Sequence, residues 1–385
     1  MSRSFRHFDP GSRILYGEDC LGQLSAELRR VGAKRAVVFC GNTIARSEPG
    51  LETVRAALGE FCVGAFTGVA EQSPLPSVEA AARLLAERDA DAVVAIGGGS
   101  AVVTARAASI LYGEGGDIRD LCTVFTPGAA PKSPRLANPK LPQFVIPTTP
   151  TTAFAKSGAA VTVEDGRRLA LFDPKARVQA LFVHPAFLRA TPWRLTLDAA
   201  LDAFAQGVQG LESARREPLA DALLIHGVRL IRQSLDDARD GDSDAARRDL
   251  VLAAQLIGQG TDFVGAGMAS AIGHAIGARC AVGNGHAKAV VLPHTLVFNS
   301  AATQGRLAEL ANALEPGSGG DANALAGTCT AFFASLDVPS RLRDLGVPEE
   351  ALPLIAADAA QDWFITQNPR AVSAADVVAL LQVVW

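Results

Sequence analysis

Residues 91–111 read DAVVAIGGGSAVVTARAASIL, and this stretch constrains the fold more than any other. Asp91–Ile96 is a short continuous apolar run, which fits a strand buried on both faces rather than a half-exposed one. Gly97-Gly98-Gly99-Ser100 then reads as a tight loop, and Ala101–Leu111 as a helix. Strand, glycine turn and helix in that order form the unit of a parallel sheet with helices on its faces. Bare glycine backbone at a helix start also favours an anion, because free N–H groups and the helix dipole point at it. A pyrophosphate is the natural ligand, and a plain tight turn is the structural alternative. The run is not G-x-G-x-x-G, so the ordinary dinucleotide fingerprint is absent.

The same alternation recurs on either side. Ala36–Cys40 reads as a buried strand, Gly50–Leu58 as a helix and Cys62–Phe66 as a second strand. Ser77–Arg88 reads as an amphipathic helix with a serine cap after Pro74-Leu75-Pro76. Gln143–Ile146 is a further strand, ending in Pro147-Thr148-Thr149-Pro150. From about residue 190 the pattern turns helical, over 197–211, 218–235, 245–263, 266–278 and 286–299, punctuated at 241–243 and 317–320. The expectation is an α/β fold in two domains. Residues 1–190 form a parallel-sheet domain, and 191–385 an all-helical domain.

Composition narrows the class. Thirty-six basic residues against 40 acidic give a net charge of −4 and a pI near 5.9. That balance offers no bulk attraction to nucleic acid or anionic lipid. Half the residues are apolar, 49%, which supports a large core and argues against disorder. Cys20, Cys40, Cys62, Cys122, Cys280 and Cys329 are scattered with no C-x-x-C pair, so neither a zinc ribbon nor a disulfide framework is indicated. The first seventeen residues hold no run of signal-peptide type, and no transmembrane helix is expected. The expectation is a soluble cytoplasmic protein with a small-molecule substrate and neither nucleic acid nor membrane as a partner.

Cys40-Gly41-Asn42-Thr43 follows the first strong strand. An acidic residue there would take an adenosine ribose 2′-hydroxyl. The small polar loop, with Gly41 and Asn42 as candidate contacts, leaves room for a 2′-phosphate and favours NADP over NAD.

Gly265–Asn299 reads GAGMASAIGHAIGARCAVGNGHAKAVVLPHTLVFN and holds three of the six histidines. Together with GGGS at 97–100, PTT at 147–149 and TPWRLTLDAALDAF at 191–204, it resembles the iron-containing alcohol dehydrogenase family. That family includes the maleylacetate reductases and shares its fold with dehydroquinate synthase. The resemblance covers roughly residues 10–385. It implies a dehydroquinate synthase-like fold, a homodimer, NAD(P)H bound over Gly97, Gly98, Gly99 and Ser100 with Thr148, Thr149 and Thr152 nearby, and hydride transfer at an alcohol or aldehyde. Typical members hold one iron or zinc ion, which polarises the substrate oxygen, through an Asp, a His four residues on, the first His of H-x-x-x-H and a further His.

The residues at those positions here are Asp202, Gln206, Ser270 and Asn284. Three are neutral and poor ligands, so the reading is against a bound metal. A rearranged site of Asp202, His274 and His286 is the metal-dependent alternative. The family's aspartate and lysine after GGGS are Val103 and Arg106, changes expected to alter contacts near the nicotinamide ribose. Its Gly-Thr-Gly-Ser-Glu is Thr151–Ala155, which removes small residues from the phosphate approach. The resemblance places His274 near nicotinamide and substrate, where a neutral imidazole relays a proton. His286 or Lys288 supplies an electrophile in place of metal, and Asp202 orients a histidine or a substrate hydroxyl. Structural roles remain open for each. His294 reads as packing, His7, His184 and His226 belong to no constellation, and Cys280 is a plain buried cysteine unless Arg279 lowers its pKa. The leading function is a metal-independent NAD(P)H-dependent reductase of a small carbonyl or unsaturated acid. Beside the rearranged metal enzyme stands one further alternative, a non-redox enzyme or inactive partner that kept the fold.

Overall fold

The computed structural model describes residues 5, 7, 11–125, 131–239, 243–303, 306–315 and 320–385. The expected punctuation at 241–242 and 317–319, and most of the first ten residues, lie outside these. The chain divides into two compact units.

The first unit comprises Pro10–Thr196 and Gly241–Val251. Its strands are β1 (Arg13–Tyr16), β2 (Ala36–Phe39), β3 (Cys62–Phe66), β4 (Ala92–Gly97), β5 (Gln143–Pro147), β6 (Gly158–Thr162), β7 (Arg168–Phe172) and β8 (Val178–Val183). Six form one sheet in the order β1-β8-β5-β4-β2-β3, with every neighbouring pair parallel, while β6 and β7 form an antiparallel hairpin. Side-chain alternation along each strand feeds two cores. Val37, Phe39, Val93, Ala95, Val145 and Leu181 face one, packed with the helices Leu75–Glu87 and Gly99–Glu114. Val38, Cys40, Val94, Ile96, Phe144, Ile146 and Phe182 face the other, packed with the helices Leu24–Arg30 and Leu51–Leu58. Burial on both faces is why these strands read as continuous apolar runs.

Two expectations are corrected. The amphipathic helix spans Leu75–Glu87, two residues earlier than the serine cap implied. Its N-cap is Pro74, and the Ser77 hydroxyl donates to the Gly68 carbonyl instead. Proline suits the first turn because no helical partner exists there for its missing N–H. The glycine loop is also shorter than it reads. Gly97 closes β4 and Gly99 opens the next helix, so Gly98 alone connects them. Arg106 is fully buried and donates to the carbonyls of Ala153, Gly158 and Ala176, tying three backbone segments together.

The second unit comprises Leu197–Asp240, Leu252–Trp385 and the described residues of Met1–Asp9. All its described regular elements are helical. The longest are Trp193–Glu212, which begins in the first unit, Pro218–Arg239, Asp244–Val264, which does the same, and Asn284–Thr303, with Met268–Cys280 between. Among the described residues no helix is long and apolar enough to cross a membrane.

Candidate functional site

In the first unit the sheet order reverses between β2 and β4. The chain leaves β2 for β3 on one side and leaves β4 for β5 on the other. The carboxyl ends of two such strands bound a crevice where ligands of open α/β sheets bind. β2 runs into Gly41 and Asn42 there, and β4 into Gly97–Ser100. A Cβ at Gly98 would lie 2.4 Å from Thr149 Oγ1, so any side chain there would displace Thr149. The Thr148 N–H donates to the Gly97 carbonyl at 3.1 Å, which ties the PTT segment to the same turn. The sixteen-residue helix Gly99–Glu114 presents its first-turn N–H groups here, and these have no partner within the helix. Backbone donors, missing side chains and a helix dipole make a fitting cradle for a dinucleotide phosphate. Thr152 is buried, whereas Thr151 is the threonine beside Gly99, 3.3 Å from a Cβ built there. Thr151 was not among the expected contacts.

The second unit gathers the other group. Asp198, Asp202 and Gln206 follow one another at four-residue spacing on Trp193–Glu212, hence on one face. Asp202 Oδ1 accepts from Lys288 Nζ at 2.5 Å, and Asp202 Oδ2 from Gln206 Nε2 at 2.6 Å. Lys288 Nζ stands 3.5 Å from His274 Nε2. His274 Nδ1 lies 3.0 Å from Asp362 Oδ2, and the Phe364 N–H holds the other Asp362 oxygen at 2.8 Å. A carboxylate only accepts, so the His274 proton sits on Nδ1 and Nε2 is left as an acceptor facing the lysine. Asp202, Lys288, His274 and Asp362 therefore form one chain of alternating charge and imidazole.

His286 is not part of that chain. Asp198 Oδ1 accepts from both its backbone N–H, at 2.9 Å, and its Nδ1, at 2.7 Å. A Cβ at Gly285 would fall 1.7 Å from the Asp198 carbonyl oxygen, so a glycine beside His286 permits this approach of the two helices. Sequence reasoning missed Asp198 and Asp362. The first had a signal, its four-residue offset from Asp202. The second had none, lying 88 residues from its histidine.

The family's metal positions do not fit a divalent transition ion. Both oxygens of Asp202 already accept hydrogen bonds, Gln206 serves one of them as a donor, and the buried Ser270 hydroxyl is tied to Gln209 Nε2 at 3.1 Å. Gln209 Oε1 also accepts from the N–H groups of Gly267 and Ser270, so this corner is a helix cap. Neutral amides and a hydroxyl beside one neutralised carboxylate are a weak donor set for iron or zinc. Among the described residues no three His, Cys, Asp or Glu are arranged to hold a metal ion, and of the alternative trio His286 has its Nδ1 engaged by Asp198. Burial pushes the Cys280 thiol up, outweighing Arg279. Burial and then Arg341 push the His294 imidazole down. Neither belongs to the constellation.

Comparison with known proteins agrees with this architecture. Residues 11–185 match the iron-containing alcohol dehydrogenase family, and residues 196–385 its C-terminal domain. Lactaldehyde reductase of Escherichia coli is 27% identical over 380 residues, covering 96% of this chain and 97% of that protein. Maleylacetate reductase 2 of Cupriavidus pinatubonensis is 28% identical over 384 residues, covering 98% and 95%. Among solved structures, the alcohol dehydrogenase from Oenococcus oeni superposes with a TM-score of 0.89 at 25% identity, covering 97% of this chain and 98% of that one. Fold, phosphate turn and relatives together define an oxidoreductase of the alcohol dehydrogenase and reductase class. The chain belongs to the iron-containing alcohol dehydrogenase family.

Proposed function

We propose that this chain is an NAD(P)H-dependent reductase of a small carbonyl compound or unsaturated acid that works without a divalent metal. The observation that carries the reading is the engagement of Asp202, the one carboxylate at the family's ligand positions, by Lys288 and Gln206. The phosphate cradle at Gly97–Ser100 supports the cofactor, and the relatives named lactaldehyde reductase and maleylacetate reductase 2 support the substrate class. The loop after β2 lacks an acidic residue, which favours NADPH over NADH.

A reduced nicotinamide, when bound, supplies the hydride. The Gly97–Ser100 turn and the N–H groups after it bind the pyrophosphate, with Thr149 and Thr151 bordering them. His274, its Nδ1 proton held by Asp362, keeps Nε2 available for proton movement. His286, oriented by Asp198, is a second proton carrier within the same unit. The reading includes a homodimer, by analogy with the family.

Metal analysis of the purified full chain, joined to fluorescence titration with NADPH and NADH, tests the reading. The expected result is substoichiometric iron and zinc, dinucleotide binding with NADPH the tighter, and reductase activity that survives a chelator. Absence of dinucleotide binding at millimolar concentration, or activity that disappears with chelation and returns with zinc or iron, overturns it.

A further inference from the structure

Two lysines of this protein are completely buried at the side chain, and the contrast between them is informative. Lys140 Nζ has three acceptors: Glu114 Oε1 at 2.5 Å, the Asn138 carbonyl at 2.6 Å and Asp173 Oδ2 at 3.2 Å. Three N–H donors meet three oxygens, as a structural cation requires. Lys288 is buried as deeply, but its Nζ has only Asp202 Oδ1 at 2.5 Å and His274 Nε2 at 3.5 Å. One N–H of a buried ammonium is left without an acceptor among the described residues. Leaving such a donor unmet is costly in the resting protein, and it suits a group that awaits an oxygen from outside. Asp202 and His274, which flank it, retain 20% and 12% side-chain exposure, so the two neighbours of the buried ammonium keep an edge toward solvent.

Room for this lysine is built into the neighbouring helix. A Cβ at Gly273 would come 2.5 Å from Lys288 Cγ and 3.0 Å from Cε. Gly273 sits mid-helix, where glycine costs about 1 kcal/mol relative to alanine, and its vacancy is filled by the lysine stem. One turn before Lys288 on its own helix stands Asn284, where the resemblance puts the family's last ligand, with a buried Oδ1 that has no hydrogen-bond partner among the described residues.

We propose that Lys288 is the intrinsic cation of this site. Its ammonium takes the place that the family gives to a divalent metal, and its third N–H binds the carbonyl oxygen of a small aldehyde, ketone or oxo acid. This rests on the metal-independent reading above. The ammonium polarises the carbonyl as a Lewis acid would, and it can also give up a proton. With hydride from a reduced nicotinamide joining the carbonyl carbon, one proton passes from Lys288 Nζ to the oxygen and an alcohol results. The neutral amine recovers its proton from solvent by way of His274.

The test uses the metal-free full chain. Zinc ion alone is titrated calorimetrically into the wild type, Lys288→Ala and the charge-balanced double variant Lys288→Met/Asp202→Asn, each checked for folding by thermal melting. Removing the ammonium lets Asp202 and His274 accept zinc, so Lys288→Ala binds it about tenfold or more tightly than the wild type, and the double variant does not. Equal zinc affinity in wild type and Lys288→Ala, whether tight or undetectable, overturns the proposal. In the activity arm, a panel of short aldehydes and 2-oxo acids with NADPH gives a kcat for Lys288→Ala lowered about 100-fold or more, with NADPH affinity within a factor of about three and partial rescue by added methylammonium. Retained chelator-resistant turnover in Lys288→Ala rejects the lysine's role while leaving the metal-free reading intact. Metal-dependent turnover in the wild type rejects that reading itself.

Discussion

Asp362 Oδ2 accepts the Nδ1 proton of His274 at 3.0 Å, joining two residues 88 positions apart. The carboxylate reaches the ring from the N-cap of a short 3-10 turn, Trp363–Gln367, where its second oxygen is fixed by the Phe364 N–H. An imidazole held in this way has one tautomer, with Nε2 directed at Lys288.

Asp362→Asn keeps an acceptor for the Phe364 N–H but allows an amide to donate to His274. The expected outcome is a population of the Nε2-protonated tautomer, read by nitrogen-15 chemical shifts of the ring. The kcat falls about 100-fold or more, while NADPH affinity is unchanged. An unaltered tautomer with full activity would show that Asp362 only packs.

Gly98→Ala probes the phosphate turn. Its Cβ would fall 2.4 Å from Thr149 Oγ1, forcing the turn open where β4 meets the helix. NADPH affinity drops about tenfold or more, at a stability loss of about 1–3 kcal/mol. Fluorescence titration and thermal melting read the two effects separately.

Gly273→Ala tests the space kept for Lys288. In the wild-type background the added methyl meets the lysine stem, and the protein loses about 1–3 kcal/mol despite alanine's better helix propensity. In a Lys288→Ala background the stem is gone and only the Asn284 carbonyl, 3.3 Å from the added methyl, remains, so the same substitution costs at least about 1 kcal/mol less. Chemical denaturation of all four proteins gives the coupling, and simple additivity would falsify the contact.

Glu212 predicts a pH dependence. The side chain is fully buried, and desolvation pushes its carboxyl from 4.5 up to about 8, against weaker lowering by Asn299 and then Arg306. The folded chain therefore holds this proton while the unfolded chain loses it above about pH 4. Its contribution to stability is complete below about pH 4 and is lost as pH rises toward 8. Glu212→Gln keeps the donor from Asn299 paired and removes this dependence. The variant's advantage in stability, read by thermal melting, grows from about pH 5 to 8 and then levels off, on the order of a few kcal/mol at most. A constant difference across that range would mean that Glu212 is ionised in the folded protein.

Legibility in the sequence followed burial. β2, β4 and β5 are covered on both faces, so their apolar runs stood out. β1, with the half-exposed sequence RILY at the sheet edge, carried no such run, and Gln179 interrupts that of β8. Neither was read, nor was the β6–β7 hairpin. In the helical unit, Asp202, His274, His286 and Lys288 were legible because motif spacing marks them. Asp198 carried only its four-residue offset from Asp202, and Asp362 carried no signal, because it is defined by the histidine it touches.

By itself the sequence determined the parallel sheet, the glycine turn between β4 and its helix, and the presence of Gln206, Ser270 and Asn284 where the resemblance implies histidines. These are local properties of a run, a turn or a spacing. Only the tertiary structure decided that His286 turns to Asp198 while Lys288 takes Asp202 and faces His274. An ammonium on a four-carbon stem reaches several partners from one backbone position. Which it takes depends on the void left by Gly273 and on the carboxylate already waiting across the helix pair, and neither is written in the residues next to it.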